Sequence, residues 1–100
     1  MTTQGKRLKR IRQTLNLSGE EFGAKIGVSK QYVSNLEADR NVLNNEKLVL
    51  LLVDLNVNLN YLIGGKGRMF NEQQPNASNE ELEQKVVEVM KKYGVIEKWV

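Results

Sequence analysis

A chain of 100 residues can bury one small core and not two, so one domain with an appendage is expected. At 40% hydrophobic and 27% charged residues it has the composition of a folded protein, and with neither cysteine nor histidine it excludes disulfides, thiolate zinc sites and imidazole acid–base chemistry. The net charge of +3 is unevenly placed, with eight Lys/Arg against four Asp/Glu over residues 1–40 and four against six over residues 71–100, a polarity that directs the N-terminal part towards a polyanion. No apolar signal-peptide core opens the chain, and the longest apolar run, residues 48–53, is far below membrane-spanning length. A cytoplasmic protein that engages no membrane is expected.

Leu8, Ile11, Arg12 and Leu15 recur at spacings of three and four, which predicts a first helix over residues 5–15 with Lys6, Lys9 and Arg10 turned elsewhere. Asn16 tolerates a left-handed conformation and ends it. Ser18 with Glu21 three positions on has capping-box spacing, with Leu17 and Phe22 placed as its hydrophobic staple. Phe22 and Ile26 form the buried stripe of this second helix, which Gly27 stops after about two turns. Ser29 caps a third helix that buries Val33 and Leu36. Only Gly27 and Val28 separate these two helices, so they must meet steeply. Gly23 supplies the bare position that such an approach needs, Gly27 the positive φ of the turn, and Val28 points inward to seal the corner. The opposite surface of the third helix keeps Lys30, Gln31, Tyr32, Ser34 and Asn35 available.

Residues 38–45, ADRNVLNN, read as a loop, after which Asn44 or Asn45 caps a fourth helix running to about Leu55. Leu48, Leu51, Leu52 and Leu55 make its core stripe, but Val49, Leu50 and Val53 spread apolar character around it. Two explanations stand, a central buried helix or an extra side covered by a partner. Asn56 permits another left-handed turn, Asn58 caps, and Leu59, Leu62 and Ile63 give a short fifth helix closed by Gly64 and Gly65. A loose GKGRMF segment follows. Residues 71–79, NEQQPNASN, are polar and hold the single proline, the mark of a linker between a domain over 1–70 and a C-terminal helical segment over 80–100. In that segment Ser78 and Glu81 repeat the capping-box spacing, and Leu82, Val86, Val89 and Tyr93 form an amphipathic seam of two heptads. Gly94 ends the helix, leaving Val95, Ile96 and Trp99 as an apolar terminus.

Three blocks, RLKRIR at 7–12, LSGEEFGAKIGVSKQYVSNLE at 17–37 and LNVNLNYLI at 55–63, together resemble the lambda-repressor-like class, the helix-turn-helix domain of phage repressors, Cro proteins and xenobiotic-response-element regulators. The resemblance covers residues 5–64 and implies an all-α, five-helix domain that binds double-stranded DNA. It implies an ion pair between Arg12 and Glu37, and base reading by Lys30, Gln31 and Asn35 with Tyr32 and Ser34 on the flanks. It implies a phosphate clamp from Arg40, Asn41 and Asn44. Helix N-termini present free N–H groups, which makes Ser18 with Gly19, and Ser29 with Lys30, further phosphate anchors. The class usually has Gln where this chain has Gly19, so one side-chain contact is missing; Lys6, Arg10 and Arg40 are the candidates to replace it.

A single small domain covers about half a site, which makes a homodimer on a palindromic operator the expected state. The resemblance places pairing around Val57, Asn58 and Leu59. The seam of Leu82, Val86, Val89 and Tyr93 is the other candidate, against the alternatives that the tail folds back over Leu50 and Val53 or stands as an isolated helix. The sequence offers no nucleophile–base set, metal-ligand cluster or cofactor loop, so no enzyme, cofactor or metal is expected. Three functions are weighed: a phage or prophage-type repressor, an antitoxin-like protein that binds a protein partner through the domain or its C-terminal helix and regulates itself through the same DNA-binding domain, and an RNA-binding or purely structural use of the fold.

Overall fold

Five short polar side chains at helix starts organise the domain. A computed structural model of the chain describes residues 2–71 and 79–93, with side chains in the second stretch from Glu83 onward. The first five helices are α1 (Gln4–Thr14), α2 (Gly19–Ile26), α3 (Lys30–Glu37), α4 (Asn45–Asp54) and α5 (Leu59–Gly64), and the C-terminal helix is α6 (Asn79–Lys92). The capping box is made in full at α2: Ser18 Oγ accepts from the Glu21 N–H at 3.1 Å, and Glu21 Oε1 accepts from the Ser18 N–H at 2.8 Å. Ser29 caps α3, Asn44 caps α4 and Asn58 caps α5, each through its side-chain oxygen. Thr3 does the same for α1. Asn16 and Asn56 both adopt φ 57°, the left-handed turns expected of them.

The core joins Leu8 and Ile11 of α1, Phe22 and Ile26 of α2, Val33 and Leu36 of α3, Leu48, Leu51 and Leu52 of α4, and Leu62 of α5. A Cβ built on Gly23 would stand 2.5 Å from the Val28 carbonyl oxygen, so α2 and α3 approach as closely as the steep crossing demands. Val28 itself is half-buried against the core. The same closeness recurs at Gly5, where a Cβ would lie 2.5 Å from the Leu36 oxygen, and this sets α1 directly on the end of α3.

The GKGRMF segment is not loose. Val57 and Phe70 form an antiparallel bridge, flanked by the Asn58 N–H to the Met69 oxygen and the Asn71 N–H to the Asn56 oxygen, both at 2.9 Å. Asn71 also donates its side-chain amide to the Val57 oxygen at 3.1 Å. Both ends of the expected 71–79 linker therefore belong to their neighbours, Asn71 to the domain and Asn79 to α6.

Helix α6 folds back across α4 and α5 and completes the core with Val86, Val89 and Met90. Its Tyr93 ring occupies the space that a Gly64 side chain would need, and the Tyr93 hydroxyl donates to Asn60 Oδ1 at 3.4 Å. Of the residues the tail was expected to cover, Leu50 is half-buried while Val53 stays 40% exposed. Ser78, Gly94, Val95, Ile96, Trp99 and the Leu82 side chain lie outside the described residues. Among the described residues no helix is long and apolar enough to cross a membrane.

Candidate nucleic-acid interface

Helix α3 is held from beneath and left open above. Val33 and Leu36 are buried under it at 1% and 3% exposure, while Lys30, Gln31 and Ser34 are exposed and Asn35 is partly so. Tyr32 sits on the flank at 37% exposure. The far end is locked by Arg12, whose Nε and Nη2 donate to the two Glu37 carboxylate oxygens at 2.6 and 3.2 Å. Arg12 Nη1 also donates to the Leu17 oxygen at 3.0 Å, tying the α1–α2 corner into the same arrangement. The carboxylate of Glu37 holds the guanidinium pKa above its ordinary value, against a smaller opposing effect of burial. This is the pair that the resemblance implied, and it joins α1 to the last turn of α3.

The start of α3 lies beside the start of α2. A Cβ on Gly19 would meet the Lys30 side chain at 3.6 Å, an ordinary contact, so two helix N-termini share one edge. They differ in charge. The first turn of α3 holds no acid, whereas that of α2 holds Glu20 and Glu21. One N–H expected to face an anion, that of Ser18, already donates to Glu21. Hydrogen bonds from Ser18 also hold the Glu21 pKa below the usual carboxylate value.

Beyond α3 the loop returns sharply at Asp39, which adopts φ 62°. Its Oδ1 accepts from the Gly5 N–H at 2.8 Å, and its pKa is lowered first by a hydrogen bond from Thr3 and then by that N–H. The positive field of Lys6 adds to this. Lys6 thus joins the loop edge, with Arg10 one turn further along the exposed side of α1. Arg40 is exposed and returns to α3 at Asn35 through its N–H to the Asn35 carbonyl, 2.9 Å, and its Nη1 to Asn35 Oδ1, 3.3 Å. The N–H of Asn41 reaches the same carbonyl at 3.4 Å. Asn44 is exposed, but its Oδ1 accepts from the Lys47 N–H at 2.9 Å, so it can offer an anion only its amide N–H groups.

The pairing candidates are placed differently from the DNA candidates. Val57 and Leu59 are 0% and 2% exposed, covered by the chain's own core. Asn58 gives its side-chain amide to the Arg68 oxygen at 2.8 Å and takes the Asn60 N–H on its Oδ1. The turn faces inward because the strand-like return at 68–71 closes over it. Val86 and Val89 are likewise buried against α4 and α5 of the same chain, so these two positions of the seam are taken up within one copy.

Three contacts had no sequence signature. Arg7 donates through Nε to the Leu62 oxygen at 2.9 Å and through Nη2 to the Ile63 oxygen at 3.2 Å, which satisfies carbonyls at the end of α5. Asp39 caps α1 from across the fold. Lys47 places its Nζ 3.3 Å from the position of a Gly27 Cβ, a cation at the negative end of α2.

Two short helices crossing at a glycine-lined corner, the second with a buried inner face and an open polar outer one, define a helix-turn-helix module. The family comparison agrees: residues 8–62 match the helix-turn-helix family, and the chain belongs to it, in the lambda-repressor-like class of DNA-binding regulators. Among solved structures it is similar to the P22 c2 repressor protein crystallised with a synthetic operator, at 27% identity and a TM-score of 0.61, over 66% of this chain and 100% of that one. A search of curated proteins gave no match.

Proposed function

We propose that this protein is a sequence-specific, double-stranded DNA-binding repressor of the phage type, which places α3 in the major groove of an operator. The observation that carries this reading is the divided labour of α3. Its inner face and far end are fixed by Val33, Leu36 and the Arg12–Glu37 pair, while Lys30, Gln31 and Asn35 are offered on the outer face. Lys can approach guanine O6 or N7, and the amides of Gln and Asn match base edges, so these side chains suit direct readout. The N-terminus of α3 with Ser29, that of α2 with Gly19, and Lys6, Arg10, Arg40, Asn41 and Asn44 supply phosphate contacts around it. The similarity to a repressor solved on its operator supports the reading.

A palindromic operator bound by two copies follows from size, because one such module buries only about 600–1,000 Å² of protein surface. With Val57, Leu59, Val86 and Val89 turned inward, the second copy is brought by the DNA or by another surface of the domain. Selection from random duplexes with the purified chain tests the proposal. A symmetric enriched site with half-sites one helical turn apart, bound more weakly as salt rises, is the expected result. Unenriched output sinks the claim.

A further inference from the structure

Asn35 Oδ1 is shared by two donors that approach from opposite sides along the chain. Gln31 Nε2, one turn before it on α3, lies 3.4 Å away, and Arg40 Nη1, on the returning loop, lies 3.3 Å away. The loop is in turn fixed from behind. Asp39 holds its left-handed turn against Gly5 on α1, and the Arg40 N–H is bonded to the Asn35 carbonyl at 2.9 Å. A guanidinium is a donor only and always charged, so it fixes which end of the neighbouring amide faces it: the oxygen is held and the NH₂ group is repelled.

We propose that Arg40 is a positioning residue for specificity. By occupying Asn35 Oδ1 it turns Asn35 into a pure donor, so that Asn35 selects a base whose major-groove edge offers acceptors. The proposal rests on α3 reading DNA as described above and adds the chemistry of one position. An unrestrained Asn matches adenine, accepting from the N6 amine and donating to N7. With its oxygen taken by Arg40 and Gln31, only Nδ2 is offered. Guanine, with N7 and O6, and thymine, with O4, can accept it; adenine keeps one bond through N7 but its N6 amine is left without the acceptor that made the match bidentate, and cytosine offers only the N4 amine, donor against donor. Gln31 keeps its own Oε1 and an N–H, so its reading is unaffected by this restriction.

The test is duplex selection with four full-length proteins: the wild type, Asn35→Ala, Arg40→Ala and Arg40→Lys. Asn35→Ala identifies the position by erasing its preference. The expected wild-type preference there is guanine or thymine over adenine, and Arg40→Ala shifts that preference towards adenine at that one position while the other positions keep theirs. Arg40→Lys, which retains a cationic donor, keeps the wild-type base. Because Arg40 is exposed, its replacement leaves the fold intact, checked by an unchanged melting curve. A wild type that prefers adenine or cytosine over guanine and thymine at the Asn35 position overturns the proposal. So does an Arg40→Ala protein that binds all sequences more weakly with every preference unchanged, which makes Arg40 a phosphate contact alone, and so does an Asn35→Ala protein that erases no position. Each of these leaves the DNA-binding reading standing; a wild type that enriches nothing overturns both.

Discussion

Arg12 ties two parts of the module together, because one side chain meets α3 at Glu37 and the α1–α2 corner at Leu17. The pair is 17% and 11% exposed, so most of its desolvation is already incurred on folding and the attraction between partners offsets it only in part. Arg12→Ala leaves the Glu37 carboxylate without its partner and is expected to lower stability by about 2–4 kcal/mol. Replacing both with leucine recovers most of that loss. Urea unfolding of Arg12→Leu, Glu37→Leu and the variant carrying both checks it, and losses that simply add would show that the pair is not coupled. Gly19 poses the opposite question, what a missing side chain withholds. It is helical and its Cβ position is open, with Lys30 at an ordinary 3.6 Å. Gly19→Gln is expected to stabilise by roughly 0.5–1 kcal/mol through the unfolded chain and to tighten binding equally on operator and random duplexes. A drop in melting temperature would show that the position is less open than its contact distance says.

Helix starts were legible in the sequence because a cap reaches only two or three residues along the chain. Ser18, Ser29, Asn44 and Asn58 are each found in the role their spacing announced. The buried stripes of α1 to α5 were legible for the same reason of local period. What could not be read are contacts whose partners are far apart in the chain: Arg7 with Leu62, Asp39 with Gly5, and Asn71 with Val57. No periodicity encodes them, and each closes the fold rather than forming an element. The two lowered carboxylates separate these cases by pH. Glu21 and Asp39 titrate below their ordinary values in the fold, so their contribution is present above the usual carboxylate range and is lost as pH falls through the lowered values. Glu21→Gln and Asp39→Asn should therefore melt lower than wild type at neutral pH, with the gap closing below roughly pH 4. A gap that stays constant with pH would show that the hydrogen-bond geometry and not the charge is responsible.

At the scale of the molecule, the proposed reading has each domain cover half of a site, and α6 bears directly on which surface could bring two copies together. The seam of Val86, Val89 and Tyr93 has the spacing of a pairing helix, and period alone does not say which surface it meets. The fold answers with α4 and α5 of the same chain. The bare Gly64 admits the Tyr93 ring, and Val86 is 0% exposed at the centre of the contact. The extra apolar side of α4 that two explanations were offered for is thus partly covered from within. This arrangement makes a thermodynamic prediction that exchange between copies does not. Val86→Ala removes buried apolar area inside one chain and should lower stability by about 1.5–3 kcal/mol, with a melting temperature shift independent of protein concentration. If α6 instead packed on a second copy, melting would rise with concentration in the wild type, and the Val86→Ala deficit would shrink as concentration rose, by mass action. Calorimetry over a hundredfold range of concentration separates the two. A concentration-independent deficit leaves α6 as the sixth element of the core and assigns the pairing of two copies to the operator or to the domain surface that α6 leaves uncovered.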